Sequence, residues 1–314
     1  MDKQLDVITV GEPLVLFVAK QTGPLDAVSD FARSTAGAEL NVATGLARLG
    51  LQTAYVGQVG IDSFGRFLTA SMAHEGIDHS RLRLVSDHPT GFMLKARSDD
   101  GSDPAIEYFR RGSAASHMGI ADLDDNFCAT ARHIHITGIY ASVSASAREL
   151  VFELARKARE RGQTVSFDPN LRPMLWSSQA AMVACMNQLA ALADWVLPGL
   201  GEGQLLTGQL SPEAVCDWYL ARGAGAVVVK LGEKGAYFAD QHCQGYSEPK
   251  PVPCLIDTVG AGDGFATGLI SGLLEGLDLA RASARGNAIG ARVLQFPGDS
   301  DGLPTRAELT AMMA

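Results

Sequence analysis

Short β-branched runs alternate along this chain with stripes of helical period, and that rhythm narrows the available folds more than any other feature. Val7–Val10, Thr53–Val59, His133–Thr137, Thr164–Phe167, Trp195–Leu197 and Ala226–Lys230 read as buried strands. Between them, Leu40, Ala43, Leu46 and Ala47 share one helical face, and Gly50 is placed to stop that helix. Leu150, Val151, Leu154, Ala155 and Ala158 form a second apolar stripe that ends at Gly162. Repeated strand–helix–strand order predicts an α/β fold: a doubly wound, mostly parallel sheet with helices on both faces.

Two regions break the rhythm. Leu14–Val18 and Thr90–Arg110 read as strands with no helix between them, and Ser98–Pro104 is a turn-rich hairpin signal. These pieces predict a small antiparallel sheet inserted into the α/β domain, a lid built from about 12–35 and 88–113. No repeat, low-complexity tract or Ser/Gly linker divides the chain, so residues 1–314 are expected to form a single domain.

With 46% apolar and 19% charged residues, a sizeable core is easily buried. The net charge of −9, with no Lys/Arg cluster, argues against a nucleic-acid partner. The longest apolar stretch, Ala180–Leu197, is interrupted by Asn187, Gln188 and Asp194 and reads as an amphipathic helix, not a membrane span. Met1–Leu5 lacks the basic start of a signal peptide. Cys128, Cys185, Cys216, Cys243 and Cys254 are odd in number and widely spaced, so reduced buried thiols in a cytoplasmic protein are expected. His74-Glu75 is followed by His79, not by a histidine at helical zinc spacing, and His133 and His135 read as packing residues of a buried strand.

The chemistry concentrates at Asp257-Thr258-Val259-Gly260-Ala261-Gly262-Asp263, which precedes a long run of apolar and small residues. Small residues at a helix start leave backbone N–H groups open to an anion. Asp263 stands in the same first turn. There it either stabilises the helix dipole or takes a proton from an alcohol during phosphoryl transfer. The dipeptide Gly-Lys never occurs, which excludes a Walker A loop, and Phe265 stands where a dinucleotide fingerprint needs a third glycine. Lys230-Leu231-Gly232-Glu233-Lys234-Gly235 reads both as a hairpin turn and as a ligand-facing loop at a strand end. Tyr108 and Arg110 share a face of a lid strand, while Asn170 and Arg172 follow a core strand. Two arginines converging from lid and core would suit a carboxylate. Alternatively, Arg111 is solvated and Arg172 pairs with Asp168.

Asp257–Asp263 resembles the C-terminal signature of the ribokinase-like (PfkB) carbohydrate kinases. Ala36-Gly37-Ala38-Glu39-Leu40-Asn41-Val42-Ala43, then Leu49-Gly50 and Val56–Gly65, approximate the N-terminal signature in the same order. The resemblance extends over essentially the whole chain. It implies a doubly wound α/β domain with a β-sheet lid and ATP-dependent phosphorylation of a sugar hydroxyl. Asp263 would be the base, and Gly260, Ala261 and Gly262 the anion hole. Gly37 and Asn41 would touch the sugar, and Lys230, Gly232, Gly235 and Asn287 the nucleotide. Glu202 would act on Mg2+ through water, although Gly199 replaces the asparagine of the family's element there. A monovalent cation, K+, would sit near Asp257, and a homodimer would form through the lid.

The segments around Tyr108, Arg110 and Arg172 are similar to a sugar-acid branch of the family that acts on 2-keto-3-deoxygluconate. In that branch Tyr108, Arg110 and Arg172 would hold the acid or keto end, with Asn170 beside them. Fructokinases share the Phe167–Arg172 run, so a neutral sugar is the alternative substrate. A kinase-like sugar-binding regulator without activity is the alternative of another class.

Overall fold

The computed structural model describes residues 5–97 and 104–314; of the expected turn at Ser98–Pro104, residues 98–103 lie outside the described residues. The strands, in chain order, are β1 (Leu5–Val10), β2 (Leu14–Thr22), β3 (Phe31–Ala36), β4 (Thr53–Gly60), β5 (Asp78–Val85), β6 (Phe92–Arg97), β7 (Ile106–Phe109), β8 (Ala131–Thr137), β9 (Thr164–Asp168), β10 (Trp195–Val196), β11 (Ala226–Lys230), β12 (Ala236–Asp240) and β13 (Gln244–Ser247). The large sheet runs β13-β12-β11-β10-β9-β8-β1-β4-β5, and a second sheet runs β3-β2-β6-β7.

The pairs from β11 through β5 in the large sheet are parallel, as the alternation requires. β12 and β13 close one edge antiparallel, so the glycine turn after β11 does open a hairpin. Period-two alternation sends neighbouring residues to opposite cores. Val227 and Val229 pack on one face with Ile134, Leu150 and Phe167. Val228 packs on the other with Val42, Leu46 and Phe265.

The helix Ala145–Glu160 shows how the local sequence builds one layer. The Ser144 side chain accepts the Ala147 N–H at 3.0 Å, a cap worth about 1 kcal/mol. Leu150, Val151, Leu154, Ala155 and Ala158 are all buried. Each large aliphatic side chain there contributes roughly 1.5–3 kcal/mol. Gly162, at φ 68°, ends the helix as expected.

The helices Ala261–Leu274 and Leu279–Val293 pack almost backbone to backbone. A Cβ on Gly268 would lie 2.7 Å from Arg285 main-chain atoms, and one on Gly264 would lie 2.9 Å from Val293. The small-residue run after Asp263 is the sequence trace of that close approach.

The small sheet corrects one expectation. It is mixed, not antiparallel: β2 pairs antiparallel with β3 and β6 with β7, but β2 and β6 run parallel. Each follows a strand of the large sheet, β1 or β5, and so leaves that sheet in the same direction. β3 escaped the sequence reading because Phe-Ala-Arg-Ser-Thr-Ala is too polar to signal a strand. Ala180–Leu197 divides into the helix Gln179–Ala190 and the short β10. No described helix is long and apolar enough to cross a membrane. Cys128, Cys185 and Cys216 are buried, but Cys243 and Cys254 are exposed, which corrects the expectation of five buried thiols; all five are free.

Candidate active site

The C-terminal ends of the parallel strands meet under the small sheet, and a cavity of about 480 Å³ opens there. Open α/β sheets bind ligands at this edge. β1 delivers Glu12, β9 delivers Asp168 with Asn170 and Arg172 beyond it, β10 delivers Glu202 and β11 delivers Lys230. Met93, Ile106, Tyr108 and Arg110 come from the small sheet and the residue that follows it.

Asp263 stands in the first turn of the helix Ala261–Leu274 and lines the cavity with Val259, Gly260 and Gly262. Gly260 caps that helix at φ 84°, and a Cβ there would lie 2.3 Å from the Asp299 carbonyl oxygen. Only glycine meets both demands. The Asn41 amide donates to Asp263 Oδ2 at 2.7 Å and fixes the carboxylate. Burial raises the Asp263 pKa to about 7. The Asn41 bond opposes the rise, Asp168 and Asp299 add to it, and Lys230 opposes it. A carboxyl poised near neutrality is suited to exchange a proton with an alcohol. Asn41 Oδ1 is buried and has no protein partner. Gly37 caps the helix that carries Asn41, and a Cβ there would lie 2.6 Å from the Glu12 carbonyl.

Lys230 Nζ reaches Asp168 Oδ2 at 2.6 Å. Burial works against its charge, but Asp168 and Glu202 outweigh burial and hold its pKa above the ordinary lysine value. The pairing overturns the alternative in which Asp168 binds Arg172. Arg172 instead donates to Asn170 Oδ1 at 2.7 Å and to the Leu171 carbonyl at 2.8 Å, and no described carboxylate pairs with it. Asn170 holds it from a left-handed backbone, φ 38°, the one positive φ among the described non-glycine residues. Backbone strain of this kind collects at functional sites.

Arg110 enters the cavity already paired. Its guanidinium meets Glu12, which also accepts from Ser113, and the Arg110 and Glu12 side chains are 10% and 1% exposed. The two arginines therefore converge as expected, but only Arg172 arrives without a counter-ion. Tyr108 lies under Arg110, with the guanidinium 5.8 Å from its ring.

Both Glu202 oxygens accept backbone N–H groups, from Leu171 at 2.7 Å and Gly199 at 2.8 Å. The carboxylate ties two strand-end loops together at the cavity wall. Asp257 bonds the Lys95 ammonium at 2.6 Å and the Val259 N–H at 3.0 Å. Gly232, Gly235 and Asn287 are not brought to the cavity wall. Gly232 and Gly235 shape the turn after β11 at φ 60° and 81°. Asn287 donates to Ser247 and Glu248, anchoring the segment after β13. Ala261 contributes its place in the helix start.

Sequence reasoning missed Glu12, Glu39, Lys95 and Asp299, all of which belong to the site or brace it. Glu39 lines the cavity and bonds the Thr137 hydroxyl, and burial raises its pKa to about 7. A glutamate two residues before Asn41, within an otherwise apolar helix start, was the available signal. His133 and His135 are buried on Ser166 and Thr164 hydroxyls, as packing residues should be. Burial pushes both their pKa values down.

A cleft at the strand ends of a doubly wound sheet, capped by a small sheet and floored by a glycine turn beside a carboxylate, defines a phosphotransferase acting on an alcohol. The pfkB family carbohydrate kinase model matches residues 4–306, and this chain belongs to that family. It is 46% identical over 312 residues to 2-dehydro-3-deoxygluconokinase of Bacillus subtilis (strain 168), covering 99% of this chain and 96% of that one. It is 30% identical over 314 residues to the protein of the same name from Thermoproteus tenax, covering 99% and 95%. Among solved structures, a PfkB protein from Polaromonas sp. JS666 superposes with a TM-score of 0.91 at 49% identity, covering 98% of this chain and 99% of that one. A putative ribokinase II from E. coli, in complex with ATP and Mg2+, gives 0.91 at 26% identity with the same coverage. A fructokinase double mutant from Vibrio cholerae O395, bound to fructose, ADP and potassium, gives 0.85 at 28% identity, with both chains fully covered.

Proposed function

We propose that this kinase moves the terminal phosphoryl group of ATP to the terminal hydroxyl of 2-keto-3-deoxygluconate, giving the 6-phosphate. The observation that carries the sugar acid is Arg172. It is a cavity guanidinium with no carboxylate partner among the described residues, in the same cavity as Asp263. A fork of this kind binds a carboxylate through two parallel hydrogen bonds. The 46% and 30% identities to relatives named for this substrate support the same reading.

Asp263, oriented by Asn41, accepts the hydroxyl proton as the new P–O bond forms. The backbone N–H groups of Gly260, Ala261 and Gly262 stand at the positive end of a 14-residue helix and meet the charge on the phosphoryl oxygens. Asn41 Oδ1 is an acceptor that a sugar hydroxyl completes. Tyr108 and Arg110 close the acid end from above, and Gly37 lets the chain approach the sugar. Lys230 faces the phosphates, and the turn that is open at Gly232 and packed at Gly235 against the segment anchored by Asn287 frames the rest of the nucleotide.

Glu202 lines the cavity and would hold Mg2+ through water, because both its oxygens already accept backbone N–H groups. Bound there, the ion offsets charge on the ATP phosphates. An ATP-consuming reaction and five free thiols suit the cytoplasm. The open edges of β3 and β7, with Phe109 exposed, favour pairing of two copies through the lid. ADP release across a panel of sugar acids and neutral ketoses tests the function. Turnover confined to neutral sugars excludes the acid reading, and none with any sugar favours the regulator.

A further inference from the structure

Lys95 belongs to the lid strand β6, yet its side chain is only 1% exposed, and its ammonium lies between Asp257 at 2.6 Å and Asp299 at 2.7 Å. Lysine is almost never buried without a reason of this kind. Burial alone would pull its pKa down, but the two carboxylates outweigh burial and keep it charged. The trio carries one negative charge in excess, and burial pushes the Asp299 carboxyl up.

The two aspartates hold opposite walls of the glycine turn, Asp257 by its carboxylate and Asp299 by its main-chain carbonyl. Asp257 accepts the Val259 N–H at 3.0 Å. The Asp299 carbonyl fills the space that Gly260 leaves by having no Cβ, 2.3 Å from where that atom would be. Val259, Gly260 and Asp299 all line the cavity. The ammonium therefore links both walls of the turn and pins them to the lid. It also occupies the carboxylate at which the sequence placed K+. A second cation against Asp257 would meet a positive charge already in contact, so the residues present do not fit that ion.

We propose that Lys95 is a built-in cation: a positioning residue that sets the phosphate-holding turn, joins it to the lid and makes an added monovalent ion superfluous. The proposal rests on the turn receiving the phosphoryl group, as argued above. Removing the ammonium leaves two facing carboxylates with space between them, a seat that a small monovalent cation can fill.

The test compares wild type, Lys95→Ala and Lys95→Met in tetramethylammonium buffer at constant ionic strength, with K+, NH4+ or methylammonium titrated in. Wild-type ADP release with saturating sugar acid and MgATP should change by less than about twofold across the titration. The Lys95→Ala variant should lose kcat on the order of 10²-fold, as a displaced turn predicts, with the sugar KM nearly unchanged. K+, NH4+ or methylammonium should then restore roughly tenfold or more of that loss. The same ions should raise the melting temperature of Lys95→Ala and leave wild type unmoved. Lys95→Met keeps the stem's packing and stands in if the alanine variant does not fold. Strong K+ activation of wild type overturns the proposal. So does full activity of a Lys95 variant without added cations, or a folded variant that none of the ions stabilises or rescues. If wild type turns over no sugar, the functional reading fails by itself, and the melting experiment still decides the role of Lys95.

Discussion

Replacing Asp263 by asparagine separates the chemistry of the site from its stability. The variant keeps the shape of the side chain and an oxygen for the Asn41 amide, but loses the group that takes the proton. Loss of a general base costs about 10²–10⁴ in kcat, so turnover should fall by that factor while sugar affinity, measured by calorimetry, survives. Stability should move the other way. Burial holds the folded-state pKa at about 7 against an ordinary 3.8. Below pH 3.8 the group is protonated whether the chain is folded or not, and its stabilising contribution is complete. As pH rises through 7 that contribution is lost. Three units correspond to about 4 kcal/mol at most, and water in the cavity reduces this to roughly 2 kcal/mol. Asp263→Asn, which cannot ionise, should match wild type near pH 4 and gain stability towards pH 8, reaching a few degrees in Tm. Wild-type kcat/KM should rise with pH to a plateau just above 7, and the variant's residual rate should not. A kcat within about tenfold of wild type would refute the base assignment. A Tm difference independent of pH would refute the buried carboxyl.

Arg172→Ala should raise the KM for a sugar acid about 10–100-fold, the worth of a charged hydrogen bond, and leave a neutral ketose nearly unaffected. Arg110→Ala should add a stability loss of about 3–5 kcal/mol in urea titrations, because it strands the buried Glu12. Equal KM losses on both sugars would remove the carboxylate argument. Glu202→Ala removes the acceptor of two backbone N–H groups, so about 1–3 kcal/mol of stability should go, together with affinity for MgATP. Gel filtration with light scattering should find a dimer that a charged residue at Phe109 converts to a monomer; a wild-type monomer at micromolar concentration would exclude pairing through the lid.

The sequence carried the parts of the site that are local. The glycine turn, Asp263 and the FDPNLR run at the end of β9 stand next to one another in the chain, and the helix and strand periods placed them at strand ends. What stayed hidden depends on contacts across long separations. Lys95 and Asp299 are 204 residues apart, and in the sequence Lys95 is only one of two cations in a lid strand. Glu12 and Arg110 are 98 apart, so nothing in either segment showed that the lid arginine is neutralised from below. Asp168 has lysine and arginine both within reach at the sheet edge, and only the fold chose Lys230. The parallel pairing of β2 with β6 was invisible for the same reason: strand direction is set by where each leaves the large sheet, not by its own residues.

The way the cap is attached has a mechanical consequence. The cap joins the body through four short chain passages: Gly11-Glu12-Pro13 into β2, Gly37 after β3, Thr90-Gly91 into β6 and Arg110–Ser113 after β7. Any opening of the roof that raises β6 must lift the Lys95 ammonium from its two carboxylates as the doorway widens.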